Sequence, residues 1–208
     1  MKPILAAALA LGVAMPAFAV PAVTLDFETV TSFASINQYY NGGADSAGAI
    51  GPSLGVSFNG DALGLQNDVL GPYFSNAPSA LGVMTPVGAD SAMNFAAGFK
   101  DTISFYYSSS AAASGAVQVW SGANGTGTML ASFDLAANAQ AGGCSDTAFC
   151  HFDKLSGSFG GTAHSLTFAD ATYIAAFDNI TITAVPEPAS ALLMALGVAG
   201  LLVARRRA

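Results

Sequence analysis

Positive charge is what this chain has least of. Its 208 residues include six lysines and arginines against thirteen aspartates and glutamates, and four of the six sit at the ends, as Lys2 and Arg205 to Arg207. Between residues 20 and 184 only Lys100 and Lys154 face twelve acids, a net charge of −10 for that stretch. A field of that sign repels phosphate backbones, which argues against nucleic acid as a partner. In that stretch cysteine and histidine are as scarce, with two of each: Cys144, Cys150, His151 and His164. A metal site of Cys144, Cys150 and His151 would lack a second ligand pair. Helical periodicity is missing from every segment of ten or more residues between the two termini, which excludes an α or α/β body.

The two ends are apolar. Met1-Lys2, the apolar stretch Ile4 to Met15 and Ala17-Phe18-Ala19 have the three parts of a secretory signal peptide, residues 1–19, with cleavage expected after Ala19. At the other end Val185-Pro186-Glu187-Pro188 leads into an uncharged run, Ala189 to Ala204, closed by Arg205-Arg206-Arg207-Ala208. About fifteen helical residues rise roughly 22 Å, short of the roughly 30 Å of a bilayer core, so the run reads as a short transmembrane helix. The arginines favour the cytoplasmic side and place the body of the protein across the membrane. Pro186 and Pro188 keep the segment before it extended. In an exported body, Cys144 and Cys150 are expected to form one disulfide closing a small loop.

Residues 20–184 are enough for one domain with a proper core. Short alternating segments punctuated by Gly, Asn, Ser and Pro predict strands at Val23 to Val30, Gly55 to Phe58, Lys100 to Tyr107, Ala116 to Trp120, Thr128 to Leu135, Ser165 to Phe168 and Tyr173 to Thr183. The loop Ser121 to Gly127 reads as a hairpin connection. Many short strands in one domain predict an all-β fold, a β-sandwich of jelly-roll type.

Catalytic signals are thin. Gly51-Pro52-Ser53-Leu54-Gly55 spells GxSxG, but a nucleophile elbow needs a strand before the serine and a helix after it, and strand-like Val56-Ser57-Phe58 follows. A secreted serine hydrolase using Ser53 is therefore a distant alternative, and the expectation is a protein without catalytic activity. Trp120, Tyr39, Tyr40, Tyr106 and Tyr107 would make a stacking platform for sugar rings if exposed, although aromatics on alternate strand positions are more often core. In the last strand Asp178 falls on the apolar phase of Ile174, Ala176, Ile180 and Ile182, where a carboxylate needs a cation or several donors unless a bulge turns it outward.

The C-terminal arrangement of Pro186-Glu187-Pro188, apolar run and Arg205 to Arg207 resembles the PEP-CTERM sorting signal of Gram-negative bacteria. That resemblance implies processing by an exosortase, passage through the inner membrane, and a final place at the cell surface or outside the cell, in the setting of exopolysaccharide and biofilm. A second resemblance rests on LDFE, GVSF, DTISFYYSS, VQVW, the paired cysteines, SGSFGGTAHSLTFAD and the closing FDNITIT. These are similar to ectodomains of galactose-binding-like jelly-roll type, an architecture shared with carbohydrate-binding modules. It implies a structural calcium held by acids near the first and last strands, Glu28 and Asp178, with loops such as Asn41 to Asp45 supplying further oxygens. The expectation is an exported, non-catalytic matrix protein, with a carbohydrate-binding module as the alternative and extracellular polysaccharide as partner.

Overall fold

In the computed structural model residues 22–185 are described; residues 1–19, expected as a signal peptide, and the tail from Pro186 onward lie outside them. Nine strands form: β1 Ala22–Leu25, β2 Val56–Phe58, β3 Ala62–Gln66, β4 Gly82–Pro86, β5 Met93–Ser109, β6 Ala113–Trp120, β7 Met129–Leu135, β8 Asp153–Thr167 and β9 Ala175–Ala184. Helical structure among the described residues is confined to three-residue turns at Ala123–Gly125, Ala141–Gly143 and Ala169–Ala171. All strand pairs are antiparallel, in the order β3-β4-β9-β5-β8-β6-β7, with β1 added to β9 and β2 to β5. This is the all-β, jelly-roll-like sandwich that the strand pattern predicted.

The long strands β5 and β8 make it a sandwich. Their outer lengths, Phe99 to Tyr107 and Asp153 to Ala163, pair with each other beside β9, whereas Met93 to Phe95 and Ser165 to Thr167 join β2 and β6. Between these lengths the register slips at Asn94/Phe99. Gly98 sits in that slip at φ +80°, where a Cβ would stand 2.6 Å from Thr162 Cγ2, so the bend needs glycine. One hydrophobic core gathers Phe99, Ile103 and Phe105 from one layer with Val56, Val117, Val119 and Leu166 from the other. Phe105 stands edge-on to Phe177 (5.7 Å) and Phe133 (6.0 Å) across it. Phe105 and Phe177, both fully buried, each contribute about 1.5–3 kcal/mol.

Several expectations need correction. The first strand ends at Leu25 rather than running to Val30, because Phe27 adopts φ +57° in a turn and fills the core from there. β3 and β4 were not expected, and β8 begins at Asp153, twelve residues earlier than predicted. Its Ser156-Gly157-Ser158-Phe159-Gly160-Gly161 stretch has loop composition, yet Gly157 is where the Phe133 ring packs against the backbone.

Candidate functional site

The expected calcium pair, Glu28 and Asp178, comes together around one loop. A bulge at Asn179 (φ +48°) shifts the β5–β9 register so that Asp178 lies opposite Tyr106 and Thr181 opposite Ser104. Opposed residues share a face, so Asp178 leaves the phase of Ile180 and Ile182 and turns outward, beneath the segment joining β3 to β4. There it is fully buried. Its Oδ2 accepts the Ser79 N–H at 2.7 Å, and its Oδ1 accepts the Ser79 hydroxyl at 2.6 Å and the Asn179 N–H at 2.7 Å. Glu28 Oε1 accepts the N–H groups of Leu81 and Gly82 at 2.7 and 3.1 Å. Burial pushes the Asp178 carboxyl up to about 6; its three donors oppose the shift and neighbouring Glu28 adds to it.

As they stand these residues do not fit a calcium site. Both Asp178 oxygens and Glu28 Oε1 face N–H or O–H protons that a cation would have to displace. Asp45, at the end of the loop expected to supply further ligands, is occupied with the N–H groups of Thr31, Ala47 and Ala49. Burial raises its carboxyl, and those bonds outweigh burial to hold it below the ordinary value. The arrangement clasps the β3–β4 segment to the sheet.

Cys144 and Cys150 form the expected disulfide. Asp146 is close to both sulfurs, but with these bonded to each other the three residues offer a metal one carboxylate. Ser53 is exposed, bridges Asn41 in an extended segment and is followed by β2, so no nucleophile elbow is built. His151 pairs with exposed Asp153 at 3.0 Å, far along the chain from Ser53. The Asn138 amide, His151 and its charge hold the Asp153 carboxyl below its ordinary value. The aromatic platform is not assembled. Tyr39, Tyr40 and Tyr107 are core residues, Tyr106 lies under Lys154 on the outer face of β5, and the Trp120 indole donates to Thr167 Oγ1.

A different concavity emerges on the second layer. Ser57, Asn94, Ser165 and Trp120 form one cross-strand row over β2, β5, β8 and β6. The β6–β7 loop folds down onto this row. Ser165 Oγ donates to Gly122 O (2.6 Å) and accepts from Gly125 N (2.9 Å), and the Asn124 N–H reaches Asn94 Oδ1 at 2.8 Å. Side-chain amides complete the clamp. Asn94 Nδ2 donates to Asn124 Oδ1 (2.9 Å) and Asn59 Oδ1 (3.1 Å), and Asn59 Nδ2 donates to Asn124 Oδ1 (3.0 Å) and Asp90 Oδ1 (2.5 Å).

Between this loop and the segment 41–55 runs a groove of about 450 Å³, walled by Asn41, Ser57, Asn94, Phe95, Ala123 and His164. No acid, lysine or arginine lines it. The Ser57 hydroxyl and the His164 ring, both half-buried, make no hydrogen bond to another described residue. Sequence reasoning missed this site because Asn124 lies in a stretch that reads as a hairpin connection and Asn41 in one that reads as a loop.

The remaining predicted residues, Pro186, Glu187, Pro188 and Arg205 to Arg207, lie outside the described part. Their sequence decides the tail. Residues 184–207 match the PEP-CTERM protein-sorting motif. The match begins at the last residue of β9, so the sandwich and the PEP-CTERM segment share a boundary. No curated protein matches the chain. Among solved structures, similar ones include a family 6 carbohydrate-binding module, 10% identical over 78% of this chain and 94% of that one, with a TM-score of 0.40. The CBM22-1 xylan-binding domain from Paenibacillus barcinonensis Xyn10C is 14% identical over 80% and 95%, with a TM-score of 0.39. The C-terminal CBM6 of LamC from Zobellia galactanivorans is 12% identical over 78% and 99%, with a TM-score of 0.36. Likeness this distant says nothing of what this chain binds. Among the described residues no helix is long and apolar enough to cross a membrane.

Proposed function

We propose that this is an exported, non-catalytic protein whose acidic β-sandwich is carried to the cell surface by its PEP-CTERM tail and stands there within extracellular polysaccharide. Residues 1–19 are a signal peptide removed on export, 20–184 the working body, and 185–208 the sorting and anchoring segment recognised by an exosortase-type enzyme in the inner membrane. The observation that carries this reading is the junction. The Val185 N–H donates to Gly98 O at 2.9 Å, and the sorting motif begins one residue before it. The last strand ends where the signal starts, so a cut beyond Val185 leaves every described strand whole. Mass spectrometry of the mature C-terminus tests it: an end within residues 186–188, free or conjugated, supports processing, and an intact Arg205 to Arg207 overturns it. A carbohydrate-binding module is the second reading, favoured by the uncharged groove beside Asn94. Catalysis through Ser53 has no geometric support, and Ser53→Ala is expected to change no activity.

A further inference from the structure

We infer that the groove between the segment 41–55 and the β6–β7 loop is a binding site for a short stretch of neutral, hydroxyl-rich sugar chain. The first argument is charge. Twelve acids lie between residues 20 and 184, yet none borders the groove, and no cation does. An ionised ligand would lose water there with no opposite charge to compensate, and an anion would also meet the field of a −10 body. A neutral polar ligand escapes both penalties.

The second argument is the chemistry of the walls. Ser57 and His164 can each donate and accept, as a sugar hydroxyl does, and neither is committed to another described residue. The small residues Gly55, Ala96, Gly122 and Ala123, set over the largely buried Phe95 ring, add apolar surface for ring C–H groups. The volume falls within the range of small-molecule sites. At Gly55 (φ +76°) a Cβ would stand 3.0 Å from the Phe95 ring, so the wall approaches the floor as closely as glycine permits.

The third argument is preorganisation. The wall formed by Gly122 and Ala123 is fixed by the amides of Asn59, Asn94 and Asn124 and by the Ser165 hydroxyl before any ligand arrives. Asn94 spends both of its N–H groups on this clamp, so it positions the wall and leaves contact with the ligand to Ser57 and His164. Ordering costs that a loose loop would impose on binding are thereby reduced.

The inference rests on the polysaccharide reading for the source of the ligand and is independent of tail processing. Titration calorimetry of the full chain with xylohexaose, cellohexaose and laminarihexaose, with polygalacturonate as the acidic comparison, tests it. At least one neutral hexasaccharide is expected to bind in the micromolar to millimolar range. Ala123→Trp, which fills the groove from an exposed loop position, is expected to weaken that binding at least about tenfold. His164→Ala is expected to weaken it several-fold with the melting temperature kept, and it decides the matter if Ala123→Trp fails to fold. No binding of any neutral hexasaccharide at millimolar concentration, equal or tighter binding of polygalacturonate, or unchanged affinity in the folded variants overturns the site. A trimmed tail together with no sugar binding would sink the groove and leave the sorting reading standing.

Discussion

On one side of the sandwich β5 and β8 present Thr102, Ser104, Ser156 and Ser158 in rows that line an open depression of about 430 Å³; on the other the same two strands present Asn94, Ser165 and His164 beneath a folded-down loop. The hydroxyl rows continue across the neighbours, since Ser104 lies opposite both Ser156 and Thr181, and Thr181 opposite Thr24. Both surfaces are built of small neutral polar side chains in a strongly acidic body. They differ in what stands above them. Over the groove the β6–β7 loop is pinned by amides, whereas among the described residues no loop is hydrogen-bonded onto the hydroxyl rows. Neutrality alone makes a soluble sheet face; a loop held at a defined height makes a site.

Removing what the two surfaces share has the greatest consequence. Phe105 lies in the core beneath the hydroxyl rows and reaches Phe133, Phe177 and Tyr107. Phe105→Ala is expected to cost about 3–5 kcal/mol, read as a lower denaturation midpoint, and to weaken groove and hydroxyl face together. A folded variant that kept full stability would mean the layers do not depend on one core.

The next experiment separates the surfaces. Asn124→Gly keeps a backbone that tolerates φ +53° and removes only the side chain that Asn59 and Asn94 bind. About 1–2 kcal/mol of stability should be lost, and sugar affinity should fall as the loop lifts, with the hydroxyl rows unaffected. Unchanged affinity would show that the wall does not need its clamp.

Much of this contrast was legible in the sequence and some was not, for identifiable reasons. Alternation marked Lys100 to Tyr107 and Ala116 to Trp120 because one face of each is buried in a common core. It failed for Ala62–Gln66, whose burial does not alternate strictly, and for the start of β8, where glycine makes room for Phe133. The face of Asp178 stayed open between core and outside because a single bulge at Asn179 reverses the faces of the residues before it, and no local residue pattern announces the extra residue. The groove was illegible because its parts come from positions as distant as 41, 57, 94, 123 and 164, each with an adequate local explanation.

A smaller effect tests the clasp that bounds the hydroxyl face. The folded-state pKa of Asp178, about 6, lies above its ordinary value of 3.8, so folding favours the protonated carboxyl. Its contribution is fully present below about pH 4 and is lost as pH rises through 6. Relative to Asp178→Asn, the wild-type protein should lose about 1 kcal/mol of stability between pH 5 and pH 7. Taking the difference between the two proteins cancels the opposite trend from Asp45 and Asp153, which is common to both. The clasp also predicts that neither calcium nor a chelator moves the melting temperature. A rise of several degrees with calcium would mean that the Ser79 and Leu81 donors yield to an ion and that Glu28 and Asp178 hold it.

The hydroxyl rows themselves supply the mildest perturbation. Thr181→Val on the bare side keeps a β-branched shape suited to a strand while removing a hydroxyl that lies 2.9 Å from Thr24 Oγ1. That bond is exposed and exchanges readily with water, so stability should move by less than about 0.5 kcal/mol. If sugar binding is also unchanged, the hydroxyl rows serve solubility and the groove carries recognition. If instead Thr181→Val weakens sugar binding as much as His164→Ala does, recognition belongs to rows of hydroxyls spaced by the sheet itself, and the loops above Asn94 would then be a cover for the strands beneath them.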